Sequence, residues 1–335
     1  MLGVRRGEMA AFVLRRLANH LVLAVLGVSL AYLLAAAALD PRAAYEDRTP
    51  RPPEAVVDAR LTALNLNDRT PLADRYRIWA GDVLRGDFGR TWDGEPVNAE
   101  LGRRLGVSLR LVLPGAVLGC AGGLLLGAWA AVRRGRTADR LVTFGACLLP
   151  AVPVFVLAVL LQMLASRAND ALGVRVFVWV GESTPGAPGG VAGLADRARH
   201  LLLPTVTIAL AQLGVYCRYQ RGLMLDVLHA DFVRTARARG LRRRSALLRH
   251  GLRTALVPMT TYLSYASGLL VLGAVFTEEI FGRHGMGEWL AGSVARGDVN
   301  AVAAIGCVAV CGVLLAGLVA DVLHGALDPR VRGAA

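Results

Sequence analysis

The residues able to do chemistry in this chain are scattered, and their spacing argues against most reactions. Six histidines form no HExxH or comparable ligand pattern. Cys120, Cys147, Cys217, Cys307 and Cys311 all fall in long apolar runs, so neither a disulfide framework nor a zinc site is indicated. Cys307 and Cys311 stand four apart on one helix face with no His or acid nearby, which reads as packing. All 38 basic residues are arginine. Without lysine there is no phosphate-binding P-loop and no Schiff-base nucleophile. No nucleophile elbow is present, and Ser108 and Ser264 have no base partner in the sequence. No catalytic, cofactor or metal residue is therefore assigned, and the chain reads as non-catalytic.

One charged segment is organised, Leu223 to Pro258. Asp231 is placed to cap a short helix, Phe232, Val233 and Ala236 give that helix an apolar side, and Gly240 ends it. A second helix is expected to follow, with Leu248, Leu252 and Leu256 on one face and Arg249 and Arg253 on another. Pro258 then opens an apolar run. Arginines alone fit orientation and contact with anionic lipid, at about 1 kcal/mol each. The capped helix and the glycine break do not follow from charge. They point to a docking element for a soluble partner.

The elements that position this segment are apolar. Six runs contain no Asp, Glu, Arg or Lys: Leu21–Leu39, Leu111–Val132, Leu141–Ser166, His200–Cys217, Thr254–Thr277 and Val299–Ala320. Each approaches the ~20 residues that cross a hydrocarbon core as helix. The formal charge of +13 would suit nucleic acid, but its distribution marks a membrane. Arginines crowd the start, the second connection (Arg133, Arg134, Arg136, Arg140), the fourth (Arg218 to Arg253) and the tail, so both termini and these loops are expected on the cytoplasmic side. The first run is long for a cleaved signal peptide and is read as a retained helix. The organisation expected is therefore residues 1–39 with the first span, an outer loop 40–106, a transmembrane domain 102–324 and a tail 325–335. Within that domain the spans are about 107–132, 141–166, 200–218, 256–278 and 299–321, with the basic loop 223–256 between two of them. Pro114, Pro150, Pro153, Pro204 and Pro258 kink or start helices.

In the outer loop, Thr70 is read as the cap and Pro71 as the first residue of an amphipathic helix carrying Leu72, Tyr76, Trp79, Val83 and Leu84, stopped at Gly86. Asp40–Asn67 is expected to be irregular, and FGRHGMG within Glu278–Asp298 to make tight turns. Gln162 and Gln212 are the notable polar residues at span depth, either bonding a neighbouring helix or lining a polar pathway. An ion-coupled secondary transporter would need ionisable groups at mid-membrane, which these runs lack. A membrane-anchored sensor or assembly protein could use the same basic loop without transport.

The sequence DFVRTARARGLRRRSALLRHGLRTALVP resembles the cytoplasmic EAA loop of binding-protein-dependent ABC importers, most closely the permease subunits of the dipeptide/oligopeptide/nickel group. The likeness continues in FVLRRLANHLVLAVLGVSLAYLL, WAGDVLRGDFGRTWDGEPV, AAVRRGRTADRLV, EEIFGRHGMG and ADVLHGALDPRVR, in family order. The general Glu-Ala-Ala-x-x-x-Gly pattern falls on Arg234, Thr235, Ala236 and Gly240, of which Ala236 and Gly240 match. The Arg-Thr-Ala start is that of the peptide-type loop. A Pro-Gly-Asp-Pro motif is eroded at Leu39-Asp40-Pro41, and residues 167–199 resemble no familiar element. The resemblance implies an all-helical type I importer permease of the cell membrane with six transmembrane helices. It also implies a second homologous permease, two cytoplasmic ATP-binding subunits, an extracytoplasmic solute-binding protein, surrounding membrane lipids and no nucleic acid. It places the ATPase-docking residues at Asp231, Phe232, Val233, Arg234, Thr235, Ala236, Arg237, Gly240, Leu241 and Pro258. Peptides, nickel complexes or other small solutes are the cargo it implies.

Overall fold

The computed structural model describes residues 4–46, 50–187, 189–228, 230–242, 245, 251–252, 254–256, 258–259, 262 and 274–327. The expected second basic helix, with Leu248, Arg249 and Arg253, and more than half of the fifth apolar run (257, 260–261 and 263–273) fall outside the described residues. Among those described, the chain forms helices and no sheet. They are α1 (Val4–Ala38), α2 (Ala43–Glu46), α3 (Glu54–Ala63), α4 (Leu72–Leu84), α5 (Val97–Val132), α6 (Thr137–Leu148), α7 (Val154–Leu172), α8 (Gly190–Val227), α9 (Asp231–Ala238), α10 (Val275–Ile280), α11 (Met286–Ala295) and α12 (Val299–Leu327). Within α1, α5, α7, α8 and α12 lie five segments long and apolar enough to cross a membrane. Large apolar side chains such as Leu21, Val25, Leu30, Val117, Leu125 and Leu164 stay exposed along them. Lipid satisfies such faces, whereas water would not.

Two helix pairs carry the bundle. In the first, α1 runs along α12, with Gly27 facing Val310 and Gly306 facing Ala31, and Arg16 meets Asp321 at 3.0 Å. In the second, α5 lies against α8, and α6 and α7 flank α8.

Several expectations change. Leu141–Ser166 is not one helix: α6 ends in a 3-10 turn at Leu149–Ala151, and α7 starts at Val154. Pro153 drives Val152 into the extended region (φ −90°, ψ 122°), which an α-helix cannot contain. Pro114 and Pro204, by contrast, lie inside continuous helices. The fourth span is longer than its uncharged run and extends from Gly190 to Val227. Asp40–Asn67 is not irregular, because α2 and α3 form there, and Val57 and Leu61 of α3 are buried. Nor does Thr70 cap α4. Pro71 occupies the cap in extended conformation (φ −51°, ψ 134°), and its carbonyl accepts from Asp74 and Arg75.

The outer-loop helices cover one end of the α1–α12 pair. Trp79 of α4 stacks on Tyr32 of α1 with ring centroids 4.3 Å apart, inside a core that also takes Tyr45, Leu61, Leu66, Val299 and Ala303. Polar ties lock the layer down. Asp298 accepts hydrogen bonds from Trp92 N at 3.0 Å and Ala301 N at 3.1 Å. Asn300 Nδ2 donates to the carbonyls of Leu64 (3.2 Å) and Arg90 (2.9 Å).

Candidate functional site

The basic loop leaves α8 through a tight step. The Ala230 carbonyl accepts from Val233 N and Arg234 N, so Asp231 is the first helical residue of α9 and not its cap. Its carboxylate still sits in the first turn, where negative charge is favourable. Thr235 Oγ donates back to the Asp231 carbonyl at 2.9 Å. Gly240 takes φ +91°, and Leu241 N reaches the Ala236 carbonyl at 3.2 Å, closing the helix in the left-handed manner.

The two faces of α9 divide the expected docking residues. Val233 (2% exposed) and Ala236 (8%) are buried against Ala128 and Ala131 of α5, Met224 of α8 and Ala255. They anchor α9 to its own bundle. Phe232 is 42% exposed, and Asp231, Arg234, Thr235 and Gly240 are also exposed. Leu241 is half-buried and Pro258 exposed; the Arg237 side chain lies outside the described residues. The surface α9 presents is thus a phenyl ring among exposed polar groups.

A buried ion pair braces the same end. Arg221 of α8 donates Nε to Asp139 Oδ1 at 2.7 Å and Nη2 to Oδ2 at 2.9 Å. Asp139 Oδ2 also accepts from Gly135 N at 2.9 Å, which ties the α5–α6 turn to α8. The Arg221 guanidinium holds the Asp139 carboxyl below its usual range, even though burial acts the other way. Near it Gln220 is wholly buried with neither amide atom bonded. At the rim Arg133 lies over the Trp129 ring, 4.1 Å from its centroid.

Above this brace, α5 and α8 approach closely along Gly115, Gly119, Gly123 and Gly127, one turn apart each time. A Cβ at Gly119 would stand 2.6 Å from the Ala209 carbonyl oxygen, and one at Gly127 2.5 Å from that of Cys217. Such small-xxx-small stripes let helix backbones meet in lipid. Sequence reasoning passed over this feature, although its four-residue spacing is plainly written.

At the opposite end, the turn between α10 and α11 is organised by Glu278, which is fully buried. Its carboxylate accepts from Ser108 Oγ of α5 at 2.5 Å, from Gly287 N at 2.8 Å and from Glu288 N at 3.2 Å. Ser108 Oγ in turn accepts from Met286 N at 2.8 Å. The free N–H groups at the start of α11 are thereby satisfied by one acid. That carboxylate leaves no room for a side chain at Gly285. The tight turns expected of FGRHGMG are present, with Gly282 at φ +61°. Gln162 Nε2 donates to the Ile280 carbonyl at 3.2 Å, the helix-bridging alternative for that residue. Gln212 is half-buried on α8 opposite Gly119. Among the described residues no group of His, Cys, Asp and Glu is placed to hold a metal ion.

Residues 123–333 match the family described as the binding-protein-dependent transport system inner membrane component. Over 325 residues the chain is 51% identical to the oligopeptide transport system permease protein OppB of Mycobacterium tuberculosis (strain ATCC 25618 / H37Rv), covering 97% of this chain and 99% of the relative. It is 30% identical over 327 residues to the oligopeptide transport system permease protein AppB of Bacillus subtilis, covering 96% and 99%. It is also 30% identical over 276 residues to the dipeptide transport system permease protein DppB of Escherichia coli, covering 78% and 81%. The chain belongs to this permease family. As a binding-protein-dependent permease it is a multi-pass inner-membrane subunit of an ABC importer. It forms part of the translocation path, and ATP is hydrolysed in separate subunits. Family membership implies an ATPase, a substrate-binding protein and a second permease as partners.

Proposed function

We propose that this permease carries peptides and that α9 is the element through which ATP hydrolysis reaches it. The peptide reading rests on the near full-length 51% identity to an oligopeptide permease. The docking reading rests on the divided α9. Val233 and Ala236 fasten it to α5 and α8, so a push on exposed Phe232, Arg234 and Thr235 is passed to the bundle and not absorbed by a loose loop. Two cytoplasmic ATP-binding subunits would receive this ridge in a groove, with α9 and both chain ends on the cytoplasmic side. The outer loop 40–106 would then face a solute-binding protein, and a second, homologous permease would complete the path. The switch is a two-state equilibrium between inward-open and outward-open bundles, biased by what the partners bind.

The test uses the whole transporter. Phe232→Asp is expected to insert normally and to lose peptide uptake and peptide-stimulated ATPase together. Val233→Asp is expected to reduce folded protein instead, because it buries a charge. Unaltered uptake with Phe232→Asp would remove α9 from the coupling path. A tagged wild-type chain that brings down neither an ATPase nor a second permease from native membranes would undo the assembly.

A further inference from the structure

Arg283 is the anomaly among the described cations. It is 3% exposed, yet its Nε and Nη2 lie buried without a hydrogen-bond partner. Arg75 leaves a single donor, its Nε, without a partner, whereas Arg221 grips Asp139 with two bonds and Arg104 reaches both Glu100 and Glu288. A guanidinium stripped of water with no acceptor is costly, and proteins rarely hold one without a use.

The surroundings of Arg283 supply charge without a mate. The charged groups facing it are Glu182 of the α7–α8 loop, Arg110 of α5 and Glu278 of α10. Glu278 is already committed to Ser108 and the start of α11, and Glu182 lies 3.9 Å from Arg110. The partners of Glu278 are neutral, so the two carboxylates and two guanidinium groups balance in charge, yet neither carboxylate bonds Arg283 Nε or Nη2. Burial further disfavours the Arg283 cation. An anion from outside would engage the idle donors. The nearest open space is lined by Val180, which packs against the neighbouring Gly282. Gly181 N donates to the Phe281 carbonyl at 2.9 Å, and the loop carrying Val180 also lines a 690 Å³ pocket with Ser166, Asp170, Arg175 and Trp179.

We propose that Arg283 is a subsite for the free terminal carboxylate of the transported peptide. A carboxylate fits the planar fork of arginine with two parallel bonds. Arg283 is too recessed for a flat protein surface to reach, so a ligand for it has to be a thin chain end. The residue lies at the end of the bundle opposite α9, where an imported solute first meets the permease. The inference rests on the peptide reading given above.

The experiment compares initial uptake of one labelled tripeptide with a free C-terminus and the same tripeptide as its C-terminal amide, in cells carrying the whole transporter. Each permease variant is compared with wild type for each peptide separately, so any preference of the binding protein cancels. Arg283→Gln is expected to lower uptake of the free acid about tenfold, the scale of one or two hydrogen bonds to a charged group, while amide uptake stays within about twofold. Arg283→Lys keeps the charge and is expected to recover part of the free-acid uptake. Equal loss of both peptides in both variants makes Arg283 a structural residue and overturns the subsite. No change in either overturns it too. If wild type imports neither peptide, the peptide reading itself fails and the subsite falls with it.

Discussion

Replacing Gly123 with alanine tests the α5–α8 contact most directly. The new Cβ would stand 2.6 Å from Tyr216 Cβ, 2.9 Å from the Leu213 carbonyl oxygen and 3.0 Å from Cys217 N. Ordinary contact begins at 3.4 Å, so the helices must part by about 0.8 Å, and two of the three obstacles are backbone. Overpacking of this kind costs about 1–3 kcal/mol. Against it stands the gain from removing a glycine inside a helix, about 0.5–1 kcal/mol. The net expectation is a loss of up to about 2.5 kcal/mol. Gly145 of α6 supplies the internal control, since a Cβ there meets nothing within 4 Å. Gly145→Ala should hold its stability or gain slightly. The assay is thermal unfolding of the assembled transporter in detergent, followed by size exclusion, with the two alanine variants separated by a few degrees. If Gly123→Ala and Gly145→Ala melt together, the glycine stripe does not set the helix separation.

Three further outcomes follow from the same geometry. Asp139→Asn leaves Arg221 without its buried counter-charge and should cost about 3–5 kcal/mol, the scale for breaking a buried pair; a pair swap, Asp139→Arg with Arg221→Asp, should restore part of the lost thermal stability, and no restoration would mean that the pair does not act as a unit. The Asp139 carboxyl is held below its ordinary 3.8 chiefly by Arg221, so its stabilising contribution is present above that value and lost only as pH falls through the depressed one. The stability gap between wild type and Asp139→Asn should therefore stay level from about pH 8 to pH 5, and a gap that closes across that range would refute the assignment. Asp298→Ala removes the acceptor shared by Trp92 and Ala301, and it should raise protease cleavage within residues 40–96 while leaving the α5–α8 helices resistant.

The spans were readable because lipid imposes length and apolarity on a continuous stretch of chain; α12 starts where its apolar run does, while α5 and α8 overrun theirs into charged sequence. The break at Pro150–Pro153 was written in the same letters but required knowing that Pro153 would start a new helix, as Pro114 and Pro204 do not. The α9 boundaries followed from Asp231 and Gly240, both local signals. The direction in which α9 faces did not, because it depends on Ala128 and Ala131 about a hundred residues earlier. The same limit hid Glu278 and Ser108, which are 170 residues apart and look unremarkable until they meet. Arg283 sits in a motif that reads simply as a turn; its burial is set by neighbours on three other segments.

The ties between the outer layer and α12 have a consequence for biogenesis. Trp92 bonds to a residue 206 positions later, and the Leu64 carbonyl to one 236 positions later. Residues 40–96 are made early in synthesis, whereas Val299, Ala303, Asp298 and Asn300 are made near its end. During the interval α4 and its aromatic cluster lack the part of their core that Val299 and Ala303 supply. The layer closes only when the last helix inserts beside the first, so an aborted or misinserted final helix leaves an exposed apolar surface that quality-control proteases can recognise.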